Sequence, residues 1–168
     1  YGMVAGTGRL ERPGMGWVYS LYFLRKLRAK ARMKRAVLAQ HCDIDRALAA
    51  RTVREYDEVL TARLHGFRDA WHYYESSSCI HWLERIRLPT MLIHSLDDPF
   101  LPEESVPLEQ VRRNPWLIDR FTTKGGHVGF VSGLPWRPVF WAEREAARFL
   151  AARFEQRQAP AGTQPALP

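Results

Sequence analysis

Hydrophobic residues in the first half of the chain recur every three or four positions, which is the period of a helix. One such stretch runs from Trp17 to about Gln40 and sets a narrow apolar stripe inside a very basic surface. A second extends from Val59 to Tyr74, and Gly66 is expected to divide it in two because glycine is a poor helix former. The pattern predicts a helical region ahead of any strand.

The second half has a different pattern, in which short apolar runs alternate with helical spacing. Thr90–His94 and Leu117–Thr122 are continuous apolar runs with β-branched residues, which favour buried parallel strands. A helix is predicted between them over Glu103–Arg112. A final amphipathic helix is predicted from the apolar positions Ala142, Ala146, Phe149 and Leu150. The order of elements is that of an α/β protein.

The two ends of the sequence predict little regular structure. Residues 1–16 are rich in glycine, contain Pro13-Gly14 and begin with Tyr1, so we expect a loop or a truncated connection there. Residues 158–168 are rich in proline and alanine and are expected to form a disordered tail. The expected domain therefore occupies residues 17–157.

Charge is unevenly distributed along the 168 residues, whose net charge is +7. Seven basic residues and no acid lie between Arg25 and Arg35, and the remaining 18 bases balance 18 acids. No nucleic-acid recognition motif accompanies this cluster, so no specific nucleic-acid partner is expected. A solvated surface and a weak contact with an anionic membrane surface are the two alternatives.

Composition excludes several other classes. No run of about 18 apolar residues could span a bilayer, and no signal peptide is recognisable, so a cytoplasmic protein is expected, with peripheral membrane association as the variant. Cys42 and Cys79 form no C-x-x-C pair and no close-set ligand pattern, so no disulfide, metal or cofactor is expected. His65 and His94 are interpreted as partly buried, hydrogen-bonded histidines.

Two candidate catalytic residues each follow a predicted strand. Asp98 comes after the first strand and His127 follows the second, behind Gly125-Gly126. Because the carboxyl ends of parallel strands meet at one edge of a sheet, both side chains can reach the same rim. In α/β-hydrolases the triad occurs in the order nucleophile, acid, histidine, and these two residues occur in that order.

Three blocks carry a resemblance to a known family. Ile93–Pro102 resembles the acid loop of α/β-hydrolases, with Ser95 where glycine is usual, and its register selects Asp98 as the acid. Gly125–Phe130 resembles the histidine loop of the YheT-like group of serine esterases, and Arg54–Tyr74 resembles that group's preceding segment. The resemblance covers roughly Gly16 to Arg153. It implies the C-terminal portion of an α/β-hydrolase fold: the last two parallel strands, flanking helices and part of a helical cap.

The same resemblance implies a serine carboxylic-ester hydrolase acting on a small or lipid acyl ester. His127 would then act as general base and acid, and Asp98 would hold its tautomer. No Gly-x-Ser-x-Gly occurs in the sequence, and Gly129–Gly133 misplaces its serine by one position. We therefore expect the nucleophile in a missing N-terminal half and no activity from this chain alone.

Other readings of these residues stay open. A non-catalytic binding module of the same fold and a basic protein that binds anionic surfaces are the alternative functions. Asp97 is expected to be solvated or to lie beside the acid without acting as one. Three aromatic residues at helical spacing are expected to form core instead of an acyl pocket; they are Trp71, Tyr73 and Tyr74.

Overall fold

The computed structural model of the protein describes residues 2–12 and 14–158. The chain forms two units: a helical unit, Tyr1–Ile80 with Pro99–Ser105, and an α/β unit, His81–Asp98 with Val106–Pro168. The predicted α/β class is confirmed, since a parallel strand pair and helices are both present.

The helical unit contains α1 (Met3–Glu11), α2 (Met15–Met33), α3 (Arg35–Leu38), α4 (Ile44–Ala49), α5 (Val53–Tyr56), α6 (Ala62–Leu64) and α7 (Ala70–Ser77). A π-helical turn, Asp57–Thr61, joins α5 to α6. Short 3-10 helices occupy Cys79–Arg85, after α7, and Glu103–Ser105. The helices predicted from periodicity are confirmed, and so is the break at Gly66, whose φ is 75°.

Side-chain caps explain where several of these helices begin. Asp43 accepts a hydrogen bond from the backbone N–H of Arg46 at 3.0 Å at the start of α4. Asp69 does the same for His72 at 2.6 Å at the start of α7. Such caps satisfy N–H groups that have no partner inside the helix, and each contributes about 1 kcal/mol.

The core of the helical unit is built around the apolar stripe of α2 and α3. Leu24 and Ala31 are almost fully buried, while the basic residues beside them are exposed except for Arg28, which is partly buried. The stripe packs with buried residues of the following helices, namely Ile44, Ala47, Ala50, Tyr56 and Leu60. Burial of one leucine or isoleucine side chain contributes about 1.5–3 kcal/mol, so this cluster holds the helices together.

A carboxyl group is buried in the same unit. Asp57, on the π-helical turn, accepts hydrogen bonds of 2.6 Å from both the Tyr74 hydroxyl and the Thr61 hydroxyl. Burial raises the pKa of Asp57, although the two hydroxyl donors oppose that change. Burial, with the nearby Asp57 carboxylate, also raises the pKa of Tyr74.

The loop predicted for residues 1–16 is wrong, because α1 occupies Met3–Glu11 and α2 begins at Met15. Glycine inside a helix costs about 1 kcal/mol relative to alanine, which is why Gly6 and Gly8 favoured a loop. Helix α1 nevertheless forms and lies close to α2. A Cβ atom at Gly16 would lie 2.5 Å from the carbonyl oxygen of Arg9, so glycine permits the close approach.

The α/β unit contains β1 (Thr90–Ser95), α8 (Leu108–Arg113), β2 (Leu117–Thr122), β3 (Val131–Leu134), β4 (Arg137–Phe140) and α9 (Trp141–Gln158). Strands β1 and β2 are parallel, with Thr90 opposite Leu117 and Ser95 opposite Thr122. Both predicted strands are confirmed. The β3–β4 hairpin, which is antiparallel, was not predicted.

The buried Asn114 side chain anchors the two parallel strands at their amino ends. Its Nδ2 donates to the carbonyl oxygens of Leu83 at 2.7 Å and Ile86 at 3.1 Å. Its Oδ1 accepts from the backbone N–H of Trp116 at 3.0 Å. The segments leading into β1 and β2 are therefore held by one amide group.

Three predictions in this unit differ from the structure. The helix expected over Glu103–Arg112 is two separate pieces, because Pro107 has no N–H to continue the helix. Thr90–Ile93 are only half-buried, since β1 pairs with β2 alone among the described residues. Helix α9 is present, but no residue of its described length is buried.

The predicted disordered tail lies almost wholly outside the described residues. Gln158 is the last residue of α9, and residues 159–168 are not described. Across the residues that are described, none of the helices combines the length and the apolar character needed to cross a membrane.

Candidate functional site

The end of the parallel strand pair brings the acid loop and the histidine loop together. Ser95 and Thr122 form the last registered pair of β1 and β2, and Leu96 then donates a backbone hydrogen bond of 2.8 Å to the Thr122 carbonyl oxygen. Asp97 and Asp98 follow on one strand and Gly125–His127 on the other. The predicted meeting of these segments at one sheet edge is what the structure shows.

The imidazole of His127 lies against the carboxylate of Asp98. His127 Nδ1 is 2.9 Å from Asp98 Oδ2, which is a hydrogen-bond distance. The Asp98 side chain is 1% exposed, whereas that of His127 is 46% exposed. The acid is thus buried in the unit, while the ring that it contacts faces outward. The contact is made through Nδ1, so Nε2 lies on the opposite side of the ring.

A second histidine lies close to the same carboxylate. His94 Nδ1 is 3.9 Å from Asp98 Oδ2, and the His94 residue is 5% exposed. Burial lowers the pKa of His94, and the Asp98 carboxylate opposes that change. His94 was expected to be partly buried and hydrogen-bonded, and its burial is confirmed and more complete than expected. Its place beside the acid was not foreseen, because alternation along β1 does not show which strand-end residues meet.

Asp97 points to the backbone of the histidine loop. Its Oδ1 accepts hydrogen bonds from the N–H groups of Gly125 and Gly126, both at 2.9 Å, and from the Ser95 hydroxyl. The Ser95 hydroxyl, followed by the Gly126 and Gly125 amides, lowers the pKa of Asp97. Asp97 is exposed, as predicted, but it also has a specific set of donors that the sequence did not reveal.

Other residues considered from the sequence are not part of this arrangement. Ser132, the misplaced serine of Gly129–Gly133, lies on β3, and His65 follows α6 in the helical unit. In the described ranges there is no cluster of three or more side chains that could hold a metal ion. Tyr74 is core as expected, but Trp71 is 51% exposed, so the core interpretation is wrong for that residue.

Comparison with known proteins gives several matches over most of the chain. The chain is 36% identical over 144 residues to the putative esterase YheT of Escherichia coli K12, covering 84% of this chain and 42% of that protein. It is 30% identical over 147 residues to the mouse phospholipase ABHD3, covering 87% of this chain and 36% of that protein. It is 34% identical over 100 residues to a monoacylglycerol lipase of Saccharomyces cerevisiae, covering 60% of this chain and 22% of that protein.

The parallel strand pair, with an aspartate and a histidine at its carboxyl edge, is an arrangement found in α/β-hydrolases. Together with these relatives it shows that the chain belongs to the α/β-hydrolase family. The chain spans about two fifths of the length of the first curated relatives that it matches. No family model and no solved structure matches it.

Proposed function

We propose that Asp98 and His127 are the acid and the histidine of a serine carboxylic-ester hydrolase. The observation that carries the proposal is the 2.9 Å contact between Asp98 Oδ2 and His127 Nδ1, made by a buried carboxylate and a half-exposed ring. A histidine whose Nδ1 is held by a buried carboxylate and whose ring is half-exposed has the fixed orientation that a general base needs. The names of the relatives, which include an esterase, a phospholipase and a lipase, give further support.

In this mechanism each residue has a distinct role. The Asp98 carboxylate accepts the Nδ1–H of His127, which leaves Nε2 as the proton acceptor and stabilises the imidazolium when it forms. His127 removes the proton of a serine hydroxyl as that hydroxyl attacks the ester carbonyl. The same imidazolium then gives its proton to the leaving alcohol.

The nucleophile of this mechanism is outside the 168 residues, because the sequence contains no Gly-x-Ser-x-Gly. In α/β-hydrolases the residue after the nucleophile also supplies part of the oxyanion hole, so both must come from another polypeptide segment. The same absence favours a second candidate function, a non-catalytic binding module that keeps the fold and the Asp98–His127 contact without acyl transfer.

The proposed substrate is an acyl ester, either small or lipid, and helix α2 offers a surface for an anionic membrane. Its first half exposes Met15, Trp17, Leu21 and Tyr22 to solvent. Its second half exposes bases, although Arg28 is partly buried and donates to the Ala50 carbonyl oxygen. Apolar and aromatic residues next to exposed lysine and arginine form the combination that binds anionic lipid interfaces.

The proposed function is tested with the product of the complete reading frame that contains this sequence. Hydrolysis of p-nitrophenyl butyrate should fall by about 10³-fold or more in His127→Gln, and by about 10²- to 10⁴-fold in Asp98→Asn. Asp119→Asn, at an exposed position on β2, is the matched control and should retain activity. A reading frame without a nucleophile would favour the binding module, and full activity in His127→Gln would refute the role given to His127.

A further inference from the structure

Three hydrogen-bond donors converge on one oxygen of Asp97. The backbone N–H groups of Gly125 and Gly126 each lie 2.9 Å from Oδ1, and the hydroxyl of the fully buried Ser95 donates to the same atom. Two of these donors belong to the histidine loop and the third ends β1. The carboxylate therefore joins the end of one strand to the loop that follows the other.

The histidine loop has a backbone shape that requires support from outside itself. Gly126 has φ of 66°, which glycine adopts without strain, whereas Phe130 has φ of 43°, in the left-handed region that non-glycine residues rarely adopt. Within the loop, the Phe130 N–H donates to the Gly125 carbonyl oxygen at 3.0 Å. A loop with a non-glycine residue in this region keeps its conformation only where neighbouring groups hold it.

The two adjacent aspartates contact different parts of the same loop. Asp98 contacts the imidazole of His127, whereas Asp97 accepts hydrogen bonds from the N–H groups of the two residues that immediately precede His127. Hydrogen bonds from N–H groups to an ionised carboxylate are about twice as strong as neutral ones. An anchor at positions 125 and 126 limits where the next Cα atom, and hence the ring, can lie.

We propose that Asp97 is a positioning residue that holds the backbone of the histidine loop so that His127 Nδ1 meets Asp98. This inference rests on the proposed function only for the catalytic role of His127. The contacts of Asp97 and Asp98 with the histidine loop do not depend on a substrate. Asp97 acts through the loop and touches no reacting atom. The Ser95 hydroxyl and the two amides lower the pKa of Asp97 further below neutral pH, so the carboxyl is ionised and a strong acceptor there.

The test measures the tautomer of His127 in the full chain by ¹⁵N NMR of the imidazole. Nδ1–H should be the major neutral form in the wild type, because that proton is donated to Asp98. Asp97→Ala removes the acceptor and should shift His127 towards the Nε2–H form, which predominates in free histidine. Asp97→Asn keeps an acceptor oxygen and should restore most of the Nδ1–H population. Asp119→Ala, which removes an exposed carboxylate from β2, should leave the tautomer unchanged.

Several results would overturn the proposal. One is an Nδ1–H population of His127 in Asp97→Ala that equals that of the wild type. The others are an equal loss of that population in Asp119→Ala and a failure of Asp97→Asn to restore it. If Asp97→Ala does not fold, hydrogen exchange of the wild type tests the proposal instead. The Gly125 and Gly126 amides should exchange at least about tenfold more slowly than in an unstructured chain. Exchange of both at the unstructured rate would refute the anchor.

The two proposals fail in different ways. A wild-type His127 without a dominant Nδ1–H form would remove the basis of the proposed function. A dominant Nδ1–H form that persists in Asp97→Ala would remove only the role given to Asp97. Loss of ester hydrolysis has no part in either measurement, so inactivity of the chain cannot be mistaken for failure of the anchor.

Discussion

The ring of Phe130 lies directly against Gly125. A Cβ atom at position 125 would be 2.7 Å from the nearest ring carbon and 3.2 Å from the Cβ of Ser95. Real Cβ atoms do not approach a neighbour as closely as 2.7 Å, and Phe130 is buried, so the ring has little room to move. The glycine is thus required by packing between the histidine loop and the strand end.

We predict that Gly125→Ala destabilises the α/β unit by about 1–3 kcal/mol, the usual cost of overpacking. Gly129→Ala is the matched control, because its added Cβ would be 3.6 Å from the nearest atom, an ordinary contact. Urea denaturation of both variants measures the difference. Equal stability of the two alanine variants would contradict the packing argument.

The buried carboxyl of Asp57 should make stability depend on pH. Burial raises the folded-state pKa of Asp57 above the ordinary value of 3.8. The stabilising contribution of this carboxyl to the free energy of unfolding is therefore fully present below about pH 3.8, and it is lost as pH rises through the folded-state pKa. The stability of the wild type relative to Asp57→Asn should therefore fall from about pH 4 upwards, by at most about 1.4 kcal/mol per pH unit. Denaturation of both proteins across pH 4 to 7.5 measures it, and a constant difference would refute it.

The 168-residue chain by itself should not hydrolyse esters enzymatically. A histidine and an acid without a nucleophile or oxyanion donors cannot form an acyl-enzyme. Turnover of p-nitrophenyl acetate and butyrate should be no faster with the wild type than with His127→Gln, which corrects for slow background reaction with histidine side chains. Saturable hydrolysis that a serine-directed phosphonate abolishes would show that a nucleophile is present after all.

Exposed bases on α2 and its C-cap should draw the chain to anionic vesicles. Co-sedimentation with phosphatidylserine-containing vesicles should be strong at low salt and weaken steeply by about 0.5 M, because the Debye length shortens. The test variant replaces five exposed bases with glutamine and keeps the internally paired Arg28 and Arg35: Arg25→Gln, Lys26→Gln, Lys30→Gln, Arg32→Gln and Lys34→Gln.

The control for this experiment has the same change in charge elsewhere. It replaces five exposed arginines of the α/β unit with glutamine, at Arg112, Arg113, Arg120, Arg144 and Arg157. Equal vesicle binding by the two variants would attribute the interaction to net charge, and binding of the wild type to neutral vesicles at the same level would exclude an electrostatic contact.

The pattern of hydrophobic residues predicted those strands and helices whose own sequence has a regular apolar spacing. The strands at Thr90 and Leu117 and the two helical regions were found because each has a clear local pattern, a continuous apolar run for a strand and a spacing of three or four for a helix. Helix α1 was missed because glycine is unfavourable in a helix, and its close approach to α2 at Gly16 leaves no periodic pattern in the sequence. The β3–β4 hairpin was missed because Pro135 and Pro138 break the alternation that would have indicated it.

The candidate site was predicted in part. Strand order placed Asp98 and His127 at one edge, since parallel strands end together. The contacts of Asp97 and the burial of His94 beside Asp98 depend on side-chain directions beyond a strand end, and no periodic pattern encodes those directions. The Asp57–Tyr74 hydrogen bond joins residues on separate helices and was not foreseen for the same reason.

The register of β1 with β2 also bears on how the site assembles during folding. The two strands are joined by a single short connection that includes α8, so the contacts that bring Asp98 to His127 have low sequence separation for a parallel pair. Closing a loop of about 30 residues has a modest entropic cost, which grows only with the logarithm of length. The acid and the histidine can therefore meet through one short crossover, and their contact does not require the closure of a long loop.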